Sequence, residues 1–520
     1  MALTLASATK LLQEHYLLRE IIQNDCWTLD PMRFDNATTP FTALTYDTRQ
    51  VTEGSMLFCK GRFKTSYLDG IDEKGLAAYV AETDHSASTH AIGLIVNDVQ
   101  KAMSLLSAEF YVRPQDALTV IGITGTKGKT TTAYFTHAIL NAYTGGKAAM
   151  FSSVDNCIDG VHTQPAQLTT PESLDLFRMM RQAADAGMRY LVMEVSSQAY
   201  KVNRVYGLRF HVGAFLNISP DHISPIEHPT LEDYFYCKRQ IVRHSDVLVL
   251  GAQCTHAELL REDAAKTGTP VVEFSLQEHA DDDTARHDLV AAIPAAHDSK
   301  AFTLNNQGMD LGEFRLKMQG EFNYANAAAA VALAVQAGVP AENHAMHALE
   351  SVQIPGRMEE VASHDGIIAY IDFAHNYLSV KALLDEIDKQ YDGRDPYITV
   401  VTGSTGVKAL DRREGIVSAA RERVNEMIFT LDDPDTEDPQ SIAEEMRSYV
   451  RNPNVATDIV FPREDAVAKA VANARQRPDR LNILLIIGKG NETRNKVNGR
   501  PVPYDGDKTV VLREFDRDRR

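Results

Sequence analysis

The segment 118-LTVIGITGTKGKTTTAYF-135 begins as an apolar strand, turns through glycines and lysines, and continues into a helix from about Thr131. After a strand, Gly125 and Gly128 allow a tight turn whose N–H groups converge on an anion at the start of a helix. Lys129 then reaches the terminal phosphates, and the Thr130 hydroxyl is a ligand for their Mg²⁺. The spacing is more compact than GxxxxGK followed by serine or threonine, because Ile123 stands five residues before Gly128. Strand, turn and helix in this order predict a nucleotide-phosphate cradle.

Downstream, 190-YLVMEVS-196, 211-HVGAFLNIS-219 and 246-DVLVLG-251 read as further strands, with helical stretches between several of them. Such alternation predicts a parallel sheet in an α/β domain. The alanine run 327–330 reads as a helix ended by Gly338, and 280-ADDDTAR-286 is a short acidic piece. The last third repeats the α/β style in 366-GIIAYIDFAH-375, 397-YITVVTGS-404, 426-EMIFTLDD-433 and 482-NILLIIGKG-490. Ligands bind outside the carboxyl ends of parallel strands, so His375, Gly403, Asp432 and Gly488 are expected on one sheet edge. In the first hundred residues, a turn at Glu53–Gly54 precedes a strand, and GLAAYVAE reads as helix-like. Domains are expected at 1–113, 114–352 and 353–520.

At 520 residues the chain exceeds one ordinary core, and about two or three domains are expected. Its 44% hydrophobic and 24% charged residues are those of a globular protein. A formal charge of −18 disfavours nucleic acid or an acidic membrane as partner. Five scattered cysteines form no metal or disulfide pattern. With no signal peptide and no apolar run near the roughly 20 residues that span a bilayer, a cytoplasmic location is expected.

The compact GTKGKTT loop resembles the ATP loop of the Mur ligase family. Other blocks extend the resemblance over nearly the whole chain: 194-EVSSQAYKVNRV-205, 217-NISPDHI-223, 232-EDYFYCKRQ-240, 320-GEFNYANAAAA-330 and 355-PGRME-359. The blocks 372-DFAH-375, 432-DDPDTEDP-439 and 488-GKGNE-492 are most similar to the MurE branch, the muramyl tripeptide synthetases. The resemblance implies three α/β domains: an N-terminal UDP-binding domain, a central P-loop ATPase domain and a C-terminal Rossmann-like domain. It further implies that ATP phosphorylates the D-glutamate side-chain carboxylate of UDP-N-acetylmuramoyl-L-alanyl-D-glutamate. A free diamino acid then attacks the acyl phosphate in cytoplasmic peptidoglycan precursor synthesis. A monomer is expected.

The same resemblance assigns residues. Gly125, Thr126, Lys127, Gly128, Lys129, Thr130 and Thr131 form the ATP loop, with Asn326, Arg357, Asp372 and His375 completing the nucleotide site. Lys129, Glu194, His222 and Lys238 are the expected catalytic group. Thr130, Glu194 and His222 are the expected Mg²⁺ ligands, joined by Lys238 if it carries a carbamate (N6-carboxylysine). Asp47, Thr48 and Arg49 match the uridine-side block, and Thr169, Thr170, Ser196 and Arg204 the muramyl-dipeptide contacts, with Val202 where some relatives have glutamine.

Lys408, Asp432, Asp433, Asp435, Gly488 and Glu492 match the amino-acid site. Relatives that use meso-diaminopimelate resemble DNPR here, and their arginine grips the distal carboxylate. This chain has Asp435 in that place, and Lys408 where such relatives tend to carry arginine. An acid repels a distal carboxylate and attracts a distal ammonium, which points to L-lysine or L-ornithine. A competing reading makes Asp435 the N-cap of the helix that follows. Diaminopimelate use, a folylpolyglutamate-type acceptor and a nucleotide-binding regulatory module without ligase activity remain as alternatives.

Overall fold

The computed structural model describes residues 2–224, 227–277, 289–295, 301–318 and 320–517; the piece 280-ADDDTAR-286 lies outside them. Three large sheets follow one another along the chain. The first orders its strands Cys26–Thr28, Leu18–Gln23, Ile92–Val96, Ala78–Ala81, Ser55–Phe58 and Ala43–Thr45. Ala78–Ala81 corrects the helical expectation for GLAAYVAE. All four of its residues are buried between parallel neighbours, and pairing on both edges outweighs the helix propensity of its alanines.

Among the described residues the second sheet has eleven strands and centres on Thr119–Thr124, which pairs in parallel with Tyr190–Glu194 and Phe210–Phe215. Strands buried on both faces need continuous apolar runs rather than alternation, which is how these segments read in sequence. Parallel pairing continues through Ser245–Gly251, Val271–Leu276 and Leu289–Pro294. The outer strands are antiparallel: Asp155–Cys157 and Thr163–Pro165 on one side, Ala301–Asn306 and Met309–Arg315 on the other. Helix Lys129–Thr144 leaves the glycine turn and packs beside helix Phe322–Gln336. Ala327 to Ala330 are wholly buried there, since only small side chains fit so near the sheet and its neighbour. That helix stops at Gly338, whose φ of +97° suits glycine.

The third sheet orders Glu359–His364, Ile367–Asp372, Asn482–Ile487, Tyr397–Thr402, Glu426–Phe429 and Ala456–Ile459. All pairs are parallel except the first, so the carboxyl ends of five strands share one edge. Behind that edge Arg463 and Asp507 form a fully buried pair at 2.8 Å, and Arg463 Nη2 also donates to the Ile487 carbonyl at 2.9 Å. Tyr504 donates to the same aspartate at 2.6 Å. Asp507→Ala would strand a buried guanidinium, with an expected cost of about 3–5 kcal/mol in the unfolding transition of this domain. Urea denaturation checks it; a loss below about 1 kcal/mol would mean that water or a neighbour replaces the carboxylate. Among the described residues, no helix is long and apolar enough to cross a membrane.

Candidate active site

A cleft of about 1130 Å³ lies where the phosphate-loop end of the central sheet meets the carboxyl edge of the third sheet. The turn between strand Thr119–Thr124 and helix Lys129–Thr144 forms its floor. Gly128 has φ +84°, and a Cβ there would fall 2.3 Å from Asn326 Oδ1. Only glycine therefore allows the loop to approach helix Phe322–Gln336. The Asn217 side chain clasps the turn, its Oδ1 accepting from the N–H groups of Thr126 and Lys127 at 3.1 and 2.9 Å. Lys129 Nζ folds back onto the carbonyls of Gly125 and Thr126 at 2.9 and 3.2 Å. Burial pushes the pKa of Lys129 below the ordinary lysine value, with Glu194 and Asp221 acting in opposition. Lys127 is pushed down to about 8 by burial, with Asp221 opposing.

Glu194 ends its apolar strand fully buried, and its two oxygens accept from Ser153 N and Oγ at 2.7 and 2.9 Å. His222 adopts φ +59° and places Nδ1 3.4 Å from Glu227. Lys238, on helix Leu231–Arg243, is 1% exposed; its Nζ donates to the Gly125 carbonyl at 2.8 Å and sits 4.7 Å from the ring centre of Tyr234, one turn earlier. Burial, then the nearby Lys129 charge, holds its pKa well below the ordinary lysine value. The Thr130 hydroxyl, the Glu194 carboxylate and the His222 ring all reach this cleft, and an oxygen-rich set of that kind suits Mg²⁺. An ammonium at Lys238 does not suit a cation; a carbamate does.

Arg357, Asp372 and His375 of the third domain line the cleft together with the loop. Arg357 stacks 4.9 Å from the Phe373 ring centre. Asp372 accepts from Met358 N and Ala374 N at 2.6 and 2.7 Å, and burial raises its pKa despite Arg357. His375 Nδ1–H donates to the Phe373 carbonyl at 2.6 Å. Burial, then Arg412 and Lys127, lowers the pKa of His375 far below the usual histidine value.

On the wall beside Glu194, Thr169, Ser196 and Arg204 line the cleft, while Thr170 lies just behind, its hydroxyl oxygen accepting from Ser196 N at 3.0 Å. Arg204 and Lys60 both bind Glu172 at 2.8 Å, and Tyr46 donates to Asp175 at 2.5 Å. The Lys60–Glu172 and Tyr46–Asp175 contacts fasten the first domain to the second. Asp47, Thr48 and Arg49 lie in a turn of the first domain outside the cleft wall, where Asp47 accepts from Arg49 Nε at 2.9 Å.

At the opposite end, Gly403, Lys408, Asp432, Asp433, Gly488 and Glu492 line the cleft with His375, as the shared strand edge requires. A Cβ on Gly488 would meet Asp432 Oδ2 at 2.5 Å. Lys489, fully buried, lies 2.9 Å from Asp433, 2.6 Å from Glu492 and 3.7 Å from Asp432. Burial raises the pKa of Asp432 and Glu492 although Lys489 opposes it. Asp435 is not in the wall: with φ +53° it turns to the hairpin Arg494–Pro503 and binds Lys496 Nζ and Gly499 N, each at 2.7 Å. Nor does it cap the next helix; Asp438 does, accepting from Gln440 N and Ser441 N.

Sequence reasoning passed over Asn217, Asp221, Arg412 and Lys489. Asp221 Oδ1 accepts from Arg412 Nη2 at 3.0 Å, and Oδ2 accepts from Asn376 Nδ2 at 3.1 Å and lies 3.4 Å from Lys127 Nζ. Burial alone would raise its pKa, but Lys127 and Arg412 outweigh burial and hold it well below the carboxylate range. Adjacency to His222 and placement in GKG were the only signals for Asp221 and Lys489.

Comparison with known proteins fits this arrangement. Residues 123–334 match the Mur ligase middle domain, and residues 356–490 the Mur ligase glutamate ligase domain. The chain belongs to the Mur ligase family. It is 57% identical over 517 residues to the UDP-N-acetylmuramyl-tripeptide synthetase of Bifidobacterium longum, covering 99% of this chain and 100% of that one. It is 40% identical over 512 residues to the UDP-N-acetylmuramoyl-L-alanyl-D-glutamate--L-lysine ligase of Enterococcus faecalis, covering 98% of each. A solved Acinetobacter baumannii MurF aligns over 98% of both chains with TM-score 0.65 at 17% identity, a likeness of fold. The three-domain α/β expectation is borne out, and the protein is an ATP-dependent acid–amino-acid ligase of MurE type.

Proposed function

We propose that this Mur ligase adds L-lysine to the D-glutamate of UDP-N-acetylmuramoyl-L-alanyl-D-glutamate through an acyl phosphate, acting as a cytoplasmic monomer in peptidoglycan precursor synthesis. The observation that carries the reading is one continuous cleft that joins the phosphate loop, the Glu194 and Arg204 wall, and the acids around Lys489. In this reading Lys129, Lys127 and Arg357 meet the nucleotide phosphates, with Asn326, Asp372 and His375 beside them. Thr130, Glu194, His222 and a carbamate on Lys238 hold Mg²⁺, which as a Lewis acid offsets the charge gathered by a triphosphate and a carboxylate. Thr169, Ser196 and Arg204 orient the dipeptide, and Asp47, Thr48 and Arg49 serve the uridine end.

The basis for lysine shifts from Asp435 to its neighbours. Lys496 already neutralises Asp435, so its charge contributes little to the choice. Three carboxylates, Asp432, Asp433 and Glu492, crowd around Lys489, an excess of acid over base at that point of the wall. A substrate ammonium entering beside them would restore the ionised state that burial disfavours. The name of the Enterococcus faecalis relative agrees with this choice.

The test is phosphate release with the UDP-muramyl dipeptide, Mg²⁺ and ATP, comparing L-lysine, L-ornithine and meso-diaminopimelate, with product mass as confirmation. Tripeptide with lysine and less than about a hundredth of that rate with diaminopimelate is expected, the cost of an unpaired buried carboxylate. Product with diaminopimelate alone would overturn the charge argument. Incorporation into folate would favour a different acceptor, and ATP binding without turnover would favour a regulatory module.

A further inference from the structure

Two adjacent arginines on helix Asp411–Ala420 have different surroundings. Arg413 is paired with protein, Nη2 donating to Glu437 at 2.7 Å and Nη1 to Glu445 at 2.5 Å. Arg412, its side chain 10% exposed, meets one carboxylate: Nη2 donates to Asp221 at 3.0 Å. Its Nε is buried without a hydrogen-bond partner among the described residues, as is the Nε of Arg413, so the two differ in the number of carboxylates they meet. A guanidinium with unmet donors carries a desolvation cost that an anion would relieve. Arg412 lines the cleft, and its counter-ion is shared with Lys127 of the phosphate loop. Asn376, also from the third domain, donates to the same aspartate. A carboxylate of the second domain thus holds a cation of the third beside the cradle.

We propose that Arg412 is a catalytic residue for phosphoryl transfer, a guanidinium supplied by the third domain that takes an oxygen of the γ-phosphoryl group as it passes from ATP to the substrate carboxylate. The inference rests on the ligase reading above. In that step a carboxylate oxygen attacks phosphorus, the bond from phosphorus to the β–γ bridging oxygen breaks, and ADP leaves with the electron pair; no proton changes hands. Charge is then spread over the equatorial oxygens, where fixed, water-excluded donors have their largest effect. Lysine offers a point charge without the planar fork. Because Arg412 arrives with the third domain, phosphorylation depends on that domain being docked, which protects ATP from being spent while the amino-acid site is absent.

The experiment is rapid-quench measurement of ADP formation in the first turnover, with UDP-muramyl dipeptide, ATP and the amino acid that the wild type incorporates. R412Q is expected to slow this step about 100-fold or more, with ADP affinity and the amino-acid KM within about twofold of wild type. Added guanidinium ion should restore part of the R412Q rate and leave wild type unchanged, while R412K should recover less than about a tenth. Normal ADP formation with a raised amino-acid KM would assign Arg412 to the amino-acid carboxylate and overturn the proposal. No effect, or a uniform loss in both variants with lowered melting temperature and no guanidinium rescue, would reduce Arg412 to a structural partner of Asp221 and also overturn it. A wild type that forms no ADP with any candidate amino acid would sink the ligase reading itself, before any variant is considered.

Discussion

Lys129→Ala is expected to lower kcat on the order of 10³-fold while leaving the free protein at least as stable as wild type. The two effects separate because of what Lys129 touches. Among the described residues it forms no ion pair; its ammonium leans on two loop carbonyls, and burial already lowers its pKa. Carbonyl dipoles are poor substitutes for phosphate oxygens, so the charge is held at a cost that only the triphosphate repays. Removing it relieves desolvation in the free protein and removes a phosphate partner in the complex. Phosphate-release kinetics give kcat, and scanning calorimetry with and without ADP gives the two stabilities. Activity within tenfold of wild type, or a melting temperature lowered without ligand, would show that Lys129 props up the loop instead of serving the phosphates.

Much of this arrangement was legible in sequence because it depends on local backbone geometry. The turn at 125–128 announces itself through glycines that must accept positive φ or close approach, and the buried parallel strands through unbroken apolar runs. His375, Gly403, Asp432 and Gly488 could be assigned to one edge because parallel strands end alike. The failures are tertiary. GLAAYVAE is a strand since both its edges are paired, a fact that no local preference carries. Asp435 and Asp438 have the same chemistry three residues apart, and only the positive φ of Asp435 and the nearness of Lys496 turn one to the hairpin and leave the other to cap. Arg412 and Arg413 are alike in sequence, and the difference between them is made by Asp221, nearly two hundred residues away.

Lys238→Ala is the second large effect: a kcat about 10²-fold lower or worse, partly restored by formate or acetate. The Lys238 amino group lies in a buried site with a carbonyl and an aromatic ring for partners and another lysine nearby. Those surroundings disfavour its charge and keep the amine neutral at a lower pH than an ordinary lysine would be. In the proposed carbamate, the neutral lone pair would add to CO₂, an N–C bond forming as the nitrogen gives up a proton, so that a cation becomes an anion suited to the Glu194 and His222 group. The sign with pH follows: carbamate is favoured as pH rises through the lowered pKa of Lys238 and is lost as pH falls below it. Activity should therefore fall on acidification and on removal of bicarbonate, and enzyme equilibrated with ¹³C-labelled CO₂ should show one carbamate resonance that Lys238→Ala lacks. Lys238→Arg decides between the two forms of the side chain, because arginine keeps the cation and cannot carry the carbamate. An active Lys238→Arg, with no carbamate resonance in wild type, would mean that Lys238 works as a fixed positive charge behind the phosphate loop.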